Sequence, residues 1–191
     1  MPDENPPFLE LTIEIARLFA ACPDRSFLTR YETLGPEAAR VLAGTNHPLD
    51  LDRMTALSVE DAVALATHNG PLFLDAIKHL SSECARHLSA HSGYLSLSGI
   101  ATMTDEMAAA FSTHKGVLIL DGLTELTDRS AKLLARHQGP LSLFNLYALS
   151  DSALESLLER TEVLSLGDPA LTVKGTEMLR EADPETVSYT H

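Results

Sequence analysis

Four short segments of one pattern decide the fold: HNGPLFL (68–74), HSGYLSL (91–97), HKGVLIL (114–120) and HQGPLSL (137–143). Their histidines are each separated by 23 positions: His68, His91, His114 and His137. In each segment a glycine follows the histidine by two residues, and two leucines frame an L-x-L unit or its close equivalent. A fixed period of this length indicates stacked structural repeats rather than a single irregular core.

Other positions keep the same 23-residue period outside these segments. The first leucine of the L-x-L unit recurs from Leu49 to Leu164, and the second recurs from Leu51 to Leu166. A small alanine recurs from Ala39 to Ala131. Agreement of several registers over four or more copies makes a chance pattern untenable.

Each copy predicts one strand, one turn and one helix. The L-x-L unit alternates as a half-buried strand does. Hydroxyl residues then occupy one register that suits a helix N-cap: Ser58, Ser81, Thr104, Thr127 and Ser150. A glutamate follows in the first helical turn, where the helix dipole favours it: Glu60, Glu83 and Glu106. We expect helices of about ten residues, ending at the glycine as a C-cap or turn.

Stacking such units predicts an α/β solenoid, with parallel strands on one face and short helices on the other. Residues 26–183 would form six to seven repeats. The first copy lacks the histidine and the glycine, and the seventh fits best with one residue deleted before Thr172.

The two ends of the chain differ from the repeats. Residues 1–25 predict an N-terminal helical cap, in which one stripe of segment 8–22 is apolar: Phe8, Leu11, Ile15, Leu18, Phe19 and Cys22. Residues 184–191 form a C-terminal tail, in which Val187 and Tyr189 either begin a further strand or fray. A weak cap at this end leaves dimerisation through it open.

The charge and composition of the chain disfavour nucleic-acid binding, membrane association and secretion. The formal net charge of −13 disfavours nonspecific binding to nucleic acid or to an anionic membrane, because both need a cationic surface. The acidic N-terminus lacks the features of a signal peptide, and no run of 18 apolar residues exists. Two distant cysteines indicate reduced thiols, so we expect a cytoplasmic protein.

A family resemblance is carried by LSLSGIATM (95–103) and LILDGLTEL (118–126). These segments resemble leucine-rich repeats, and the wider pattern is similar to leucine-rich-repeat-like arrays of bacterial proteins. The resemblance implies a right-handed solenoid that serves as a binding scaffold and carries over no catalytic residue. It departs at the usual asparagine position, which here holds apolar residues: Tyr31, Met54, Ile77, Ile100, Leu123 and Leu146. We therefore expect no asparagine ladder.

The histidine row has a structural and a functional interpretation. Structurally, the rings would stack about 5 Å apart near helix C-termini, where imidazoles can bond free carbonyls. Functionally, the row could bind metal or sense pH. A linear row does not converge as zinc ligands must, so we expect no metal site.

The strand face, defined as the positions flanking the leucines of each L-x-L unit, is the expected recognition surface. Its candidate partner-binding residues combine large apolar groups with aspartates: Asp50, Asp52, Phe73, Asp75, Tyr94, Ile119, Asp121 and Phe144. Exposed apolar groups mark interaction sites, and the aspartates would favour a basic partner. The alternative is that these side chains only pack laterally on each other.

The sequence thus favours a non-enzymatic scaffold, such as an adaptor, a regulatory subunit or an inhibitor, that binds a protein or peptide. An acidic inhibitor or immunity protein that masks a basic site is one form of it. A structural or self-associating repeat domain is the alternative, and a hydrolase with a site on the repeat loops is the rival class. No common nucleotide-binding, metalloprotease or nucleophile-elbow motif occurs, and no cofactor is implied.

Overall fold

The structure is a computed structural model that describes residues 9–167 and 169–189. In chain order its elements are β1 (Glu10–Leu11), α1 (Ile13–Ala21), α2 (Arg25–Leu28), β2 (Thr33–Leu34), α3 (Pro36–Ala43), β3 (Leu49–Asp50), α4 (Val59–Leu65), β4 (Leu72–Phe73), α5 (Ser82–Leu88), β5 (Leu95–Ser96), α6 (Asp105–Phe111), β6 (Leu118–Ile119), α7 (Asp128–Leu134), β7 (Leu141–Leu143), α8 (Asp151–Leu158), β8 (Leu164–Leu166), α9 (Val173–Glu181) and β9 (Val187–Tyr189).

The strands pair in the register that the repeat predicts. Within the described residues, β3 to β9 form one parallel sheet of seven strands in sequence order. Leu49 lies opposite Leu72, Leu72 opposite Leu95, and the leucines continue in this way to Val187. Each strand is thus displaced from the next by one repeat, which confirms the α/β solenoid.

A second line of parallel pairing runs just before the helices. Glu10 of β1 pairs with Thr33 of β2, and Glu125 forms an isolated bridge with Ala148. These residues occupy one repeat register. At these places neighbouring coils are therefore tied together on both sides of the turn that follows the L-x-L strand.

The helices begin where the sequence predicts. The hydroxyls of Ser58, Ser81, Thr104, Thr127 and Ser150 each accept a hydrogen bond from the backbone N–H three residues on. The helices α4 to α8 span only seven or eight residues, so the expected length of ten was too long. They end early because the last turn tightens, as where the N–H of His68 donates to the carbonyl of Leu65.

The glycine after each histidine lies in the bend before the strand, the second of the two predicted roles, and is not the C-cap of the helix. The described glycines all have negative φ, and the caps of α4 and α5 are Ala66 and Ser89 in the right-handed region. Glycine is needed because successive coils approach closely. A Cβ at Gly116 would lie 1.8 Å from the carbonyl oxygen of Gly93.

The core lies between the sheet and the helices and is almost entirely aliphatic. Both leucines of each L-x-L strand are buried, and so is the alanine register from Ala39 to Ala131. A large apolar residue near the end of each helix is buried as well, such as Leu65 in α4 and Leu88 in α5. The apolar register that contains Met54 and Ile77 is buried too, so the expected absence of an asparagine there is matched by core packing.

The N-terminal helix follows the repeat rather than forming a separate cap stripe. Thr12 precedes α1 at the N-cap register, and the buried Ala16 and Phe19 match the positions of Ala39 and Leu42. The helix begins at Ile13, so Leu11 lies before it, in β1. Within or just after the helix, Leu18 and Cys22 are exposed. The predicted stripe was therefore wrong at these residues, and Phe8 lies outside the described residues.

The two ends of the seven-stranded sheet are flanked by different elements. Where the first L-x-L strand was expected, the chain forms α2, which keeps Leu28 buried and lies against β3. At the other end Val187 and Tyr189 form the strand β9, the first of the two predicted alternatives. There the N–H of Val187 donates to the carbonyl of Asp183 of its own coil, at 2.9 Å.

Candidate binding surface

The side chains of the strand face are largely shielded from solvent in its middle and exposed toward its C-terminal end. Phe73, Tyr94 and Ile119 are only partly exposed. The rings of Phe73 and Tyr94 contact each other, with centroids 5.3 Å apart. Between Phe73 and Ile119 the paired position is Ser96, which is only 3% exposed. Lateral packing therefore accounts for the central part of this face.

The open part of the face is apolar. Phe144 follows β7 and its side chain is 46% exposed, and Tyr147, three residues later, is 73% exposed. Sequence reasoning missed Tyr147 because it lies in the turn, where alternation assigns no face. Its register holds small or hydrophilic residues in the other copies, at Thr55, Lys78, Ala101 and Thr124. That contrast is the signal that would have found it.

Several aspartates of the strand face hold neighbouring coils together. Asp75 Oδ1 accepts from the hydroxyl of Ser96, at 2.6 Å, and from the N–H of Ser98, at 2.7 Å. Asp121 repeats this pair of contacts with the hydroxyl of Ser142, at 2.5 Å, and the N–H of Phe144, at 3.0 Å. These carboxylates do for the turn backbone what an asparagine ladder does elsewhere, from a different register.

The same arrangement begins with Asp52, whose Oδ1 accepts from the N–H of Asp75 at 3.1 Å. Partial burial raises the pKa of Asp52, and the nearby charges of Asp50 and Asp75 raise it further, while the bond from Asp75 lowers it. Asp50 and Asp52 together with Asp75 make this end of the face negative. One predicted set of residues thus combines a structural role with an acidic surface.

A second set of carboxylates links the helix N-termini. Asp105 accepts from the hydroxyls of Thr127 and Ser130, at 3.1 and 2.7 Å. Asp128 accepts from Ser150 and Asp151 from Thr172. The N-cap hydroxyl of each of these helices thus bonds both its own helix and the preceding coil. These serine and threonine hydroxyls therefore have structural partners.

The histidine row is a buried column of stacked rings. The four imidazoles are at most 3% exposed, and adjacent ring centroids lie 6.2, 6.1 and 5.6 Å apart along the chain. His137 Nδ1 lies 2.8 Å from the carbonyl oxygen of His114, and His91 Nε2 lies 3.3 Å from that of Tyr94. The predicted carbonyl bonding is therefore present at these two rings, although the Tyr94 carbonyl precedes β5 and also accepts from the N–H of Leu72.

Burial keeps the column neutral. Desolvation lowers the pKa of all four imidazoles below 6.5. In His137 the neighbouring Arg160 cation adds to this effect and lowers the pKa to about 4. Among the described residues, several ring nitrogens have no hydrogen-bond partner, including both nitrogens of His114.

Arg160 occupies the histidine register of the next coil and ends the column. It is 7% exposed and donates from Nη1 to the carbonyls of Leu134 and His137 and from Nη2 to that of Gly139, at 3.0, 2.8 and 2.6 Å. A buried guanidinium thus bonds three carbonyls of the preceding coil. The sequence carried this signal, because residue 160 lies one period after His137.

Metal ligation and membrane insertion find no support in the described residues. No group of three or more His, Cys, Asp or Glu side chains there is placed to hold a metal ion. None of the helices in the same parts of the chain is long and apolar enough to cross a membrane.

No protein-family model matches this chain, and a search of curated proteins finds no significant match.

Proposed function

We propose that this chain is a non-enzymatic scaffold that binds a protein or peptide through the strand face. The observation that supports the proposal is the apolar pair Phe144 and Tyr147, 46% and 73% exposed beside the end of β7. Large exposed apolar groups are costly on a free surface and are typical of interaction sites. Aromatic residues are also the residue type that most often dominates binding energy.

The partner that fits this face has an apolar patch and a basic margin. Asp50, Asp52 and Asp75 lie toward the N-terminal end of the same face, and the whole chain carries a net charge of −13. Charge complementarity of this kind raises the rate of association and favours basic partners. An adaptor, a regulatory subunit or an inhibitor would each use the surface in this way.

The proposal includes the source and the cellular location of the protein. The repeat resembles leucine-rich-repeat-like arrays of bacterial proteins, and we propose that origin together with a cytoplasmic location. The two free cysteines support a reducing environment, since neither forms a disulfide.

The test compares two double variants in a pull-down from lysate, followed by cross-linking of the recovered complex. Phe144→Ser/Tyr147→Ser changes the open part of the face. Val63→Ser/Val173→Ser removes two equally exposed apolar residues from the helices and is the matched control. Phe73 is left intact, because its contact with Tyr94 would make a loss of folding indistinguishable from a loss of binding.

We expect the wild type and the control to retain one partner that the face variant loses, with cross-links on β5 to β7. Retention of the partner by the face variant, or its loss from both variants, would show that the strand face does not bind it.

A further inference from the structure

The seventh repeat is irregular, and a groove lies beside it at the C-terminal end of the solenoid. Ala148 pairs with Ala170, one residue short of a full repeat, whereas Leu164 still pairs with Val187 at the full spacing. The stretch from the N-cap of α9 to the start of β9 is one residue longer than the matching stretch in the repeats before it, which restores the full spacing at β9. There Ala182 ends α9 in an extended conformation, with φ −64° and ψ 148°, while the preceding helices have right-handed caps.

The side-chain column is interrupted at the same place. Counting from the helix starts, Ala182 takes the position that His137 and Arg160 occupy in the coils before it. A methyl group fills much less space than an imidazole or a guanidinium. A groove of about 550 Å³ lies here, between the ends of α8 and α9 and the start of β9.

The floor of this groove is apolar and its rim is acidic. Leu158, Met178, Ala182 and Val187 line the inside. Four exposed carboxylates line the edge, from Glu155, Glu159, Glu181 and Asp183. Among the described lining residues Arg160 is the one cation, and its Nη atoms are already bonded to the carbonyls of the preceding coil.

Arg160 lines the groove but offers it no free donor. Its side chain is buried, at 7% exposure, and its Nη atoms are bonded to carbonyls of the preceding coil. Its Nε atom has no hydrogen-bond partner among the described residues but is closed to solvent. The groove is therefore characterised by its apolar floor and its acidic rim.

We propose that this groove binds a short peptide segment of a partner, in which an apolar side chain is flanked by Lys or Arg. The apolar side chain packs on the floor formed by Leu158, Met178, Ala182 and Val187. The cationic side chains then face the four carboxylates of the rim. The groove involves the ends of α8 and α9 and is separate from the proposed strand-face site, so the two can be tested independently.

The negative charge of the rim favours a basic peptide over an anion, a membrane or a second copy of this chain. Small anions and anionic membranes would meet four carboxylates before reaching Arg160. A second copy of this chain would bring its own acidic end, because the same carboxylates would face each other across a symmetric contact. A basic and apolar segment matches both the apolar floor and the acidic rim.

The experiment uses a fluorescein-labelled Gly/Ser peptide with one central Leu and two Lys on either side, titrated with the full chain by fluorescence polarisation at 150 mM salt. A matched peptide carries Ser in place of the Leu. The test variant is Glu155→Gln/Glu159→Gln on the rim. The control variant is Glu60→Gln/Glu106→Gln, which removes the same charge from exposed positions on α4 and α6. Circular dichroism checks that both variants fold.

We expect the Leu peptide to bind at least about five-fold more tightly than the Ser peptide, and the rim variant to bind it about five- to ten-fold more weakly than the control. Phe144→Ser/Tyr147→Ser should bind this peptide as the wild type does. Equal binding of the two peptides, equal weakening in both charge variants, or no binding would overturn the proposal. So would self-association of the chain abolished by the rim variant, since a second copy would then fill the groove.

Discussion

The carboxylate of Asp75 accepts a hydrogen bond from the backbone N–H of Ser98, one full repeat further along the chain, at 2.7 Å. The same oxygen accepts from the hydroxyl of Ser96. A charged acceptor therefore satisfies a turn of the next coil and ties two successive coils together.

Asp75→Ala should lower the free energy of unfolding by about 2 kcal/mol, because a charge-assisted hydrogen bond is lost and two donors are left unpaired. Asp75→Asn keeps an acceptor oxygen and should lose less than half as much. Urea denaturation followed by circular dichroism measures both. Equal losses in the two variants would mean that the charge, rather than the acceptor, stabilises this turn.

Gly116→Ala should be strongly destabilising, by about 3 kcal/mol or more, because the new Cβ would lie 1.8 Å from the carbonyl oxygen of Gly93 and the coils would have to separate. Gly44→Ala is the matched control. Its nearest neighbour would be 3.5 Å away and its backbone is right-handed, so this variant should be neutral or slightly stabilising. Similar effects at both glycines would contradict the account of close coil approach.

Much of this architecture could be predicted from the sequence because the period alone fixes which leucines face each other, as with Leu49 and Leu72. The N-caps could be predicted because a capping hydroxyl acts on its own helix. The carboxylate of Asp75 could not, since its partner lies one repeat away and aspartate fills only some copies of that register. The C-terminal groove depends on how the chain leaves α9, which a one-residue deletion does not determine by itself.

The buried histidine column should make the protein sensitive to mild acid. The folded-state pKa of each of the four imidazoles lies below 6.5, so the unfolded chain binds more protons than the folded one as pH falls below that value. Stability should therefore be complete above about pH 7 and fall as the pH is lowered toward 5. Urea midpoints between pH 7.5 and 5.5 measure this before the carboxyl groups titrate.

The control for this prediction separates buried from exposed histidines. His114→Leu replaces a ring with two unpaired nitrogens by an apolar side chain, and should flatten the pH dependence. His79→Gln changes an exposed histidine and should leave the slope unchanged. A slope that is the same in both variants would mean that the column is not its source.

The last prediction concerns Arg160, the cation at the end of the column. Arg160→Met should lower the free energy of unfolding by about 3 kcal/mol, because it leaves the carbonyls of Leu134, His137 and Gly139 without their donors. It should also raise the pKa of His137 from about 4, because the Arg160 charge is one cause of that low value. Desolvation is the larger cause, so the pKa should remain below 6.5. Titration of the His137 ring by NMR measures the shift, and Arg160→Lys, which keeps the charge, should leave the pKa nearly unchanged. A His137 pKa that is equal in the methionine and lysine variants would show that burial alone keeps this ring neutral.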